Sequence, residues 1–412
     1  MEKEQVATQQ ETNEQGAKRT VKSKAKQSRG VGTLLARILL VLLFGTSFFL
    51  SVFPWGRAIV RTSLLLPALI SASEPPPLSL FGDAVSFKRT TISSRNGPIF
   101  LDIYEPTTSP PLVPGVHAAI INIVGVGDNR NAAQLINLSR SFAREGIVVV
   151  NMGTPALFNF QVTTQDSEAV VQTFQTIAHW PGVDPNRIGI LGFSAGGTLA
   201  CLAAIDPRIR DRLAFITLFG SYFNATSLLR DFGRRALIVN GHSQPWQPYY
   251  VPEQVLSNAM SSTLTSTESK LFQQTFVQNG RPLDASQQSQ LSPSAAAAYH
   301  LLEGDEPARV DANLALLSPQ MRAKLEQLSP SSVISGVHAP IYLLHDRSDQ
   351  YVPFTQSRDF AAVLAHIHHV YDFAEFGIFS HVEVRAGLNY GQLLGDGSQL
   401  FRIVSKMLIP AS

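Results

Sequence analysis

Apolar and polar positions follow two alternating patterns from residue 84 onward. Side chains alternate between apolar and polar over 85–93 and again over 99–104, on either side of Asn96-Gly97, which predicts an antiparallel β-hairpin. Continuous apolar runs predict buried strands at 118–124, 147–152, 213–219 and a stretch beginning at 188, with amphipathic helices at 131–145 and 167–179. This alternation indicates an α/β fold with a doubly wound, mostly parallel sheet and helices on both faces.

The alternation stops between about Tyr222 and Ser335. Polar, helix-compatible stretches occur there at 253–279, 292–303 and 310–327, without a convincing central strand. A loop this long in a compact domain is improbable unless it forms a functional subdomain. We therefore predict a mostly helical cap over 223–335, inserted into a core of 84–222 and 336–412. Strands at 341–345 and 369–376 and helices at 355–367 and 395–407 complete that core.

The N-terminal part of the chain has a different character. Residues 1–33 are almost entirely polar and are predicted to be a disordered basic tail, and 34–53 form an apolar run long enough to cross a bilayer as a helix. The basic flank predicts a cytoplasmic N-terminus, with the rest of the chain on the far side after a membrane-proximal linker at 54–83. For residues 34–53, a cleaved signal peptide and a buried core helix remain as alternatives to a membrane-spanning helix.

Composition narrows the class of protein further. Residues 1–30 hold seven of the 33 Lys and Arg and four of the 31 Asp and Glu, which leaves 26 basic and 27 acidic residues elsewhere. The nearly neutral body does not suggest a nucleic-acid partner. Cys201 is the one cysteine, so an internal disulfide is excluded, and its place on a small-residue helix predicts a packed core thiol.

Candidate chemistry begins at Ser194. Gly192 and Gly196 flank it in the pattern G-x-S-x-G, between a short apolar strand and a small-residue helix. That pattern is typical of a nucleophile elbow, a strained turn that exposes the serine oxygen and frees the next amide to stabilise an oxyanion. A serine hydroxyl also needs a base that is itself oriented by a carboxylate. His381 follows the last predicted strand, where such a base belongs in a doubly wound sheet.

The carboxylate is expected in the loop after the strand at 341–345, which holds Asp346 and Asp349; Asp372 lies within a strand. The segment His345-Asp346-Arg347-Ser348-Asp349-Gln350-Tyr351-Val352-Pro353 resembles the H-G-x-x-D-x-x-V-P acid loop of α/β-hydrolases of the dienelactone hydrolase and prolyl oligopeptidase type. By that resemblance Asp349 is the triad acid, while Asp346 stands where the family has glycine. The chain order Ser194, Asp349, His381 is also the order of that fold.

An oxyanion hole requires two backbone amides near the nucleophile. Ala195 supplies one, and Val126 or Gly127, in the loop after the strand at 118–124, supplies the other. The H-G-G-G sequence of many lipases and esterases is absent from this loop, so both candidates stay open.

The expected function is a membrane-tethered serine hydrolase that cleaves a carboxylic ester or lactone, a small-molecule acyl substrate, without a cofactor or metal. A serine peptidase and a catalytically silent binding module are the alternatives, and the oligomeric state is left open. The predicted cap would select the substrate, with four aromatic residues as candidates to line its pocket. These are Phe223, Trp246, Tyr249 and Tyr250.

Overall fold

The computed structural model describes residues 37–71, 76–107, 116–278, 280–385, 387–388 and 390–411. The chain divides into two compact units, Met1–Val60 and Arg61–Ser412. The predicted disordered tail, 1–33, lies outside the described residues.

Two helices bent at Phe53 replace the predicted single membrane span. Helix α1 (Arg37–Val52) and helix α2 (Pro54–Leu69) meet at 90°. Pro54 explains the break, because it lacks an amide hydrogen and disfavours a helical conformation in the residue before it. Within the described residues no single helix has the length and hydropathy to cross a membrane, and only the bent pair passes that test. The interval 54–83, predicted as a linker, holds α2 and a short helix α3 (Pro76–Phe81).

The predicted sheet is present and has eight strands. In chain order the strands are β1 Val85–Ser94, β2 Gly97–Pro106, β3 His117–Val124, β4 Ile147–Gly153, β5 Val183–Phe193, β6 Leu213–Phe219, β9 Ile341–Asp346 and β10 Tyr371–Phe376. They lie in the order β1-β2-β4-β3-β5-β6-β9-β10. Strand β2 pairs antiparallel with β1 and with β4, and the other neighbouring strands of this sheet pair parallel. The prediction of a mostly parallel sheet is confirmed.

Helices cover both faces of the sheet, as predicted. The core helices are α4 Ala133–Arg144, α5 Pro155–Phe158, α6 Thr164–Ala178, α7 Ala195–Ala204, α15 Thr355–His366 and α16 Tyr390–Leu408. Side chains on one face of the sheet, including Ile190, Ile216 and Leu343, form a continuous apolar core with α6, α7 and α15. Because side chains alternate along a strand, Leu191, Thr217 and Leu344 point to the other face, where α4 and α16 lie.

The interval predicted as a cap leaves the sheet after β6 and returns at β9. Its described residues contain the helices α8 Ala225–Arg234, α9 Tyr250–Ser261, α10 Ser266–Phe272, α11 Ala285–Gln288, α12 Pro293–Glu303, α13 Val310–Leu316 and α14 Pro319–Gln327. Buried side chains of these helices, such as Phe232, Met260 and Leu301, form a second apolar cluster separate from the sheet core. The inserted segment therefore has a hydrophobic core of its own.

A short hairpin inside the cap interval was not predicted. Strands β7 (Ala236–Val239) and β8 (His242–Pro245) pair antiparallel around Asn240-Gly241. Asn240 has φ of 51° and Gly241 has φ of 79°, the left-handed conformation that a tight hairpin turn requires. The same Asn-Gly signal predicted the β1–β2 hairpin correctly. Strands β7 and β8 have only four residues each, which is too short to show an alternating pattern of apolar and polar positions.

Candidate active site

Ser194 lies at the sharp turn between β5 and α7. Its φ of 52° and ψ of −128° are strained for a residue with a Cβ, as a nucleophile elbow requires. A Cβ on Gly192 would lie 2.4 Å from Gly197 Cα, and a Cβ on Gly196 would lie 2.2 Å from Ile123 O. Only glycine fits at both positions, so the glycines of the motif allow β3, β5 and α7 to approach closely enough to form the turn.

His381 lies in the turn of a small hairpin formed by β11 (Phe379–Ser380) and β12 (Glu383–Val384). Its Nδ1 is 2.6 Å from Asp349 Oδ2, and because a carboxylate only accepts, Nδ1 carries the proton. Nε2 is thereby left as the basic nitrogen. The imidazole stacks on Tyr351 with ring centroids 4.6 Å apart, and a Cβ on Gly220 would lie 2.9 Å from the ring.

Ser194 and His381 line the same cavity. Among the described residues no hydrogen bond joins Ser194 Oγ to the imidazole. In enzymes without substrate this bond is commonly long and shortens only in the complex. The structure therefore brings together the three residues that the sequence predicted as a triad, with the Asp349–His381 contact already formed.

Asp349 is buried in a network of donors. Its Oδ1 accepts hydrogen bonds from the amides of Tyr351 and Val352 at 2.7 and 2.9 Å, and its Oδ2 lies 3.3 Å from His345 Nε2. Burial by itself raises the pKa of Asp349, but the charge of His381 and hydrogen bonds from His345 and His381 hold that pKa well below its usual range. The carboxylate thus stays ionised beside the imidazole.

Asp346, which stands where the acid loop that this segment resembles has glycine, contacts the backbone of His381 and not its imidazole. Its Oδ2 accepts a hydrogen bond from the backbone amide of His381 at 3.1 Å, and its Oδ1 accepts one from Ser348 N at 3.1 Å. Burial raises the pKa of Asp346, against the lowering effects of the Ser348 amide and Arg385. Asp346 therefore holds the backbone of the histidine hairpin. The third acid considered, Asp372, pairs with Lys406 at 2.7 Å.

The structure distinguishes between the two amides proposed for the oxyanion hole. The amide of Gly127 donates to Leu157 O at 2.9 Å and is therefore occupied. The Val126 amide makes no hydrogen bond within the described part of the chain, and Ala195 begins α7, where the first amides have no partner in the helix. Val126 and Ala195 both line the Ser194 cavity. Of the two amides that the sequence leaves open, that of Val126 is the one without a hydrogen bond in the described part of the chain, and its role as oxyanion donor stays a prediction.

Arg130 anchors the loop that carries Val126. Its guanidinium makes two hydrogen bonds to Asp128, at 2.8 and 2.7 Å, and lies 3.8 Å from the buried Asp102 of β2. It also lies over the Phe158 ring, 4.7 Å from the centroid. Sequence analysis did not identify Arg130, although the Asp-x-Arg spacing directly after the candidate amides was visible.

The reaction centre opens into a cavity of about 570 Å³. Its lining is mostly aliphatic and aromatic, and among the described lining residues Glu383 is the one Asp or Glu and no Lys or Arg occurs. No group of three or more His, Cys, Asp or Glu among the described residues is placed to hold a metal ion. The volume lies in the range of small-molecule sites, which is about 300–1,000 Å³.

The four candidate aromatic residues of the cap have different positions. Tyr249 lines the cavity, whereas Phe223 is buried against Phe360 and Tyr250 is exposed. Trp246 is buried and its Nε1 donates to Asp349 O at 2.8 Å, so it fastens the cap to the acid loop. Sequence analysis missed Tyr351, which stacks on the imidazole, because only the tertiary fold brings it there. Cys201 is fully buried, as predicted.

The mostly parallel sheet, the strained elbow and the chain order Ser194, Asp349, His381 together define the α/β-hydrolase class of fold. A family model described as BD-FAE matches residues 101–226, which include Ser194 and the oxyanion loop and amount to less than half of the chain. No curated protein matches the chain in sequence.

Several solved structures are similar to this chain. Dipeptidyl peptidase 4 of Porphyromonas gingivalis is 13% identical with a TM-score of 0.45, over 77% of this chain and 35% of its own length. Esterase B of Lactobacillus rhamnosis is 16% identical with a TM-score of 0.44, over 78% and 87%. Acylaminoacyl peptidase of Pyrococcus horikoshii is 14% identical with a TM-score of 0.43, over 79% and 41%. This chain thus spans only about a third of the dipeptidyl peptidase, and these likenesses carry no argument about activity.

Two acids in one loop give a matched test of the triad. We expect Asp349→Asn to lower kcat about 10⁴-fold, because an amide favours the wrong imidazole tautomer and cannot stabilise the imidazolium. Asp346→Asn keeps an oxygen that can accept a hydrogen bond from the His381 amide, so we expect it to lower kcat by no more than about tenfold. Initial rates on p-nitrophenyl acetate measure both, with thermal melts as the folding control. An equal or larger loss in Asp346→Asn would contradict the assignment.

A second prediction concerns the oxyanion loop. We expect Arg130→Met to lower kcat about tenfold or more with little change in KM, because a displaced Val126 amide weakens transition-state binding more than substrate binding. Arg130→Lys should restore part of the loss. The matched control is Arg208→Met, since Arg208 makes the same two bonds to Asp206, at 2.8 and 2.7 Å, on the surface. Equal losses in the two methionine variants would refute a positioning role.

Proposed function

We propose that this protein is a serine hydrolase that cleaves a carboxylic ester through an acyl-enzyme on Ser194. The observation that carries the proposal is the His381–Asp349 contact of 2.6 Å beside a serine held in a strained elbow. Each residue has a role that its surroundings support. Ser194 is the nucleophile, His381 the base, and Asp349 the group that orients the imidazole.

In the first half of the reaction Ser194 Oγ attacks the ester carbonyl carbon while His381 Nε2 takes the hydroxyl proton. The carbonyl oxygen becomes an oxyanion and accepts hydrogen bonds from the amides of Val126 and Ala195. The imidazolium is stabilised by the ionised Asp349. Collapse of the tetrahedral intermediate breaks the bond to the alcohol oxygen, which receives its proton from His381 Nε2. The alcohol leaves and the acyl group remains bound to Ser194.

In the second half water replaces the alcohol. His381 Nε2 takes a proton from the water as its oxygen attacks the acyl carbon, and the same two amides stabilise the second oxyanion. The bond to Ser194 Oγ then breaks, and the imidazolium returns the proton to that oxygen. The carboxylic acid is released and the free enzyme is restored.

The lining of the cavity favours an ester over a peptide. A peptide has amide hydrogens and carbonyls along its whole length, and each group buried without a partner costs about 1–3 kcal/mol. The described lining offers mostly hydrocarbon, with Glu383 as its one acidic residue. An aliphatic ester needs polar partners only at its reacting carbonyl, where Val126 and Ala195 lie.

Covalent labelling tests the proposed nucleophile. We expect a fluorophosphonate probe to label the wild-type protein and not Ser194→Ala, because the probe reacts only with an activated serine. Ser286→Ala removes an exposed serine of the cap interval that does not line the cavity, and this control should label as the wild type does. An unlabelled wild type, or a labelled Ser194→Ala, would overturn the proposal. Hydrolysis of peptide amides in preference to p-nitrophenyl esters would instead support a peptidase.

We also propose that residues 34–53 attach the hydrolase to a membrane, with the N-terminus cytoplasmic and the catalytic part on the far side. The support comes from the basic flank and from large exposed apolar side chains on α1, among them Leu39, Val41 and Phe44. We expect detergent, and not alkaline carbonate, to release the full chain from membranes. Release by carbonate would refute membrane insertion. Protease protection of the catalytic part in sealed inside-out vesicles would support the orientation, and its digestion there would contradict it.

A further inference from the structure

The cavity at Ser194 is lined by residues from two parts of the fold. One part, the cap arm, lies under the cap and is lined by Leu228 of α8, Val255 and Ala259 of α9, and Leu325 of α14. The other part, the sheet arm, lies between the sheet and the helices α2, α4 and α16. It is lined by Ala68, Phe142, Leu191, Thr217, Leu344 and Val404. Ser194 and His381 line the same cavity as both arms.

The sheet arm lies on a face of the sheet that is normally filled by packed side chains. On the opposite face of the same strands, Ile190, Ile216 and Leu343 pack into a continuous core with three helices. On this face their neighbours Leu191, Thr217 and Leu344 border open volume instead. Protein interiors contain few voids larger than a water molecule, because an unfilled apolar void lowers stability. A void connected to a nucleophile is therefore best explained by a ligand that fills it.

The walls of the sheet arm indicate which ligand this is. Phe142, Val404 and Ala68 are almost completely buried and offer only hydrocarbon. Thr217 is 1% exposed, and its Oγ1 has no hydrogen bond in the described part of the chain. A sugar or a peptide would bring several polar groups of its own that find no partner in such a space, whereas a hydrocarbon chain brings none and leaves only the Thr217 hydroxyl unpaired among these walls.

Resting on the proposed ester hydrolysis, we propose that the sheet arm binds the unbranched hydrocarbon chain of a long-chain fatty acyl group. The acyl group stays bound to Ser194 after the alcohol has left, so it suits the arm enclosed between sheet and helices. The alcohol has to leave first, and the other side of the cavity includes Tyr249, which is 46% exposed. The substrate class is thus a long-chain fatty acyl ester, with its alcohol toward the cap arm.

Replacing one alanine in each arm by phenylalanine tests which arm binds the acyl chain. Ala68→Phe narrows the sheet arm, and we expect it to lower kcat/KM for p-nitrophenyl palmitate, relative to p-nitrophenyl acetate, about tenfold or more. Ala259→Phe narrows the cap arm, where both esters place the same p-nitrophenol, so the palmitate-to-acetate ratio should stay at the wild-type value. Ala323→Phe, at an exposed position on α14, controls for the added ring. An unchanged ratio in Ala68→Phe would overturn the proposal.

Two further measurements keep the inference separate from folding and from the proposed chemistry. If Ala68→Phe loses its cooperative melt, Val404→Phe narrows the same arm from α16 and should lower the same ratio. If the wild type cleaves neither ester, the proposed function fails, and the arm is then tested by binding of the fluorescent fatty acid cis-parinaric acid. Weaker binding by Ala68→Phe than by Ala259→Phe would support the sheet arm, and equal binding would overturn it.

Discussion

The close approach of β3, β5 and α7 is the constraint on which the site depends. A methyl group on Gly192 or Gly196 would overlap backbone atoms of Gly197 or Ile123, so the strand can turn into the helix only where side chains are missing. This approach produces the strained conformation of Ser194. Ala195, the first residue of α7, lines the same cavity as Ser194. One steric condition thus underlies both the proposed nucleophile and part of the proposed oxyanion hole.

Four carboxylates, of which Asp102, Asp346 and Asp349 are buried and Asp128 is exposed, then position the remaining groups around this turn. Asp349 orients the imidazole of His381, while Asp346 holds the backbone of the same residue. Asp102 and Asp128 hold Arg130 and, through it, the loop of Val126. Burial disfavours the ionised form of a carboxylate, so the three buried ones need donors close by. The polar network around the site is therefore organised in pairs of an acid and the group that it positions.

The cap and the helices α2, α4 and α16 determine the space around the carbonyl. Trp246 connects the inserted segment directly to the loop that carries Asp349, by its bond to Asp349 O. On the other side, helices α2, α4 and α16 leave part of the sheet face unfilled, where Leu191, Thr217 and Leu344 line the cavity. A mostly hydrocarbon lining suits the proposed ester with a long apolar chain.

The local sequence determined those features that depend on neighbouring residues. Asn96-Gly97 specified the first hairpin, apolar runs specified the parallel strands, and Gly192 and Gly196 specified the elbow, because turn geometry and strand burial are local properties. The order of Ser194, Asp349 and His381 followed from strand ends. Asn240-Gly241 carries the same hairpin signal for the pair β7 and β8.

Only the tertiary structure could decide which atoms meet. Asp346 and Asp349 are three positions apart, and the packing of the histidine hairpin determines which contacts the imidazole and which its backbone. Val126 is favoured over Gly127 because the Gly127 amide is bonded to Leu157, which is distant in sequence. The bend at Pro54 and the open sheet arm likewise depend on how helices are arranged in space. The pattern of apolar residues shows which positions along one helix or strand are buried. It does not give the distance between two helices or between a helix and a sheet.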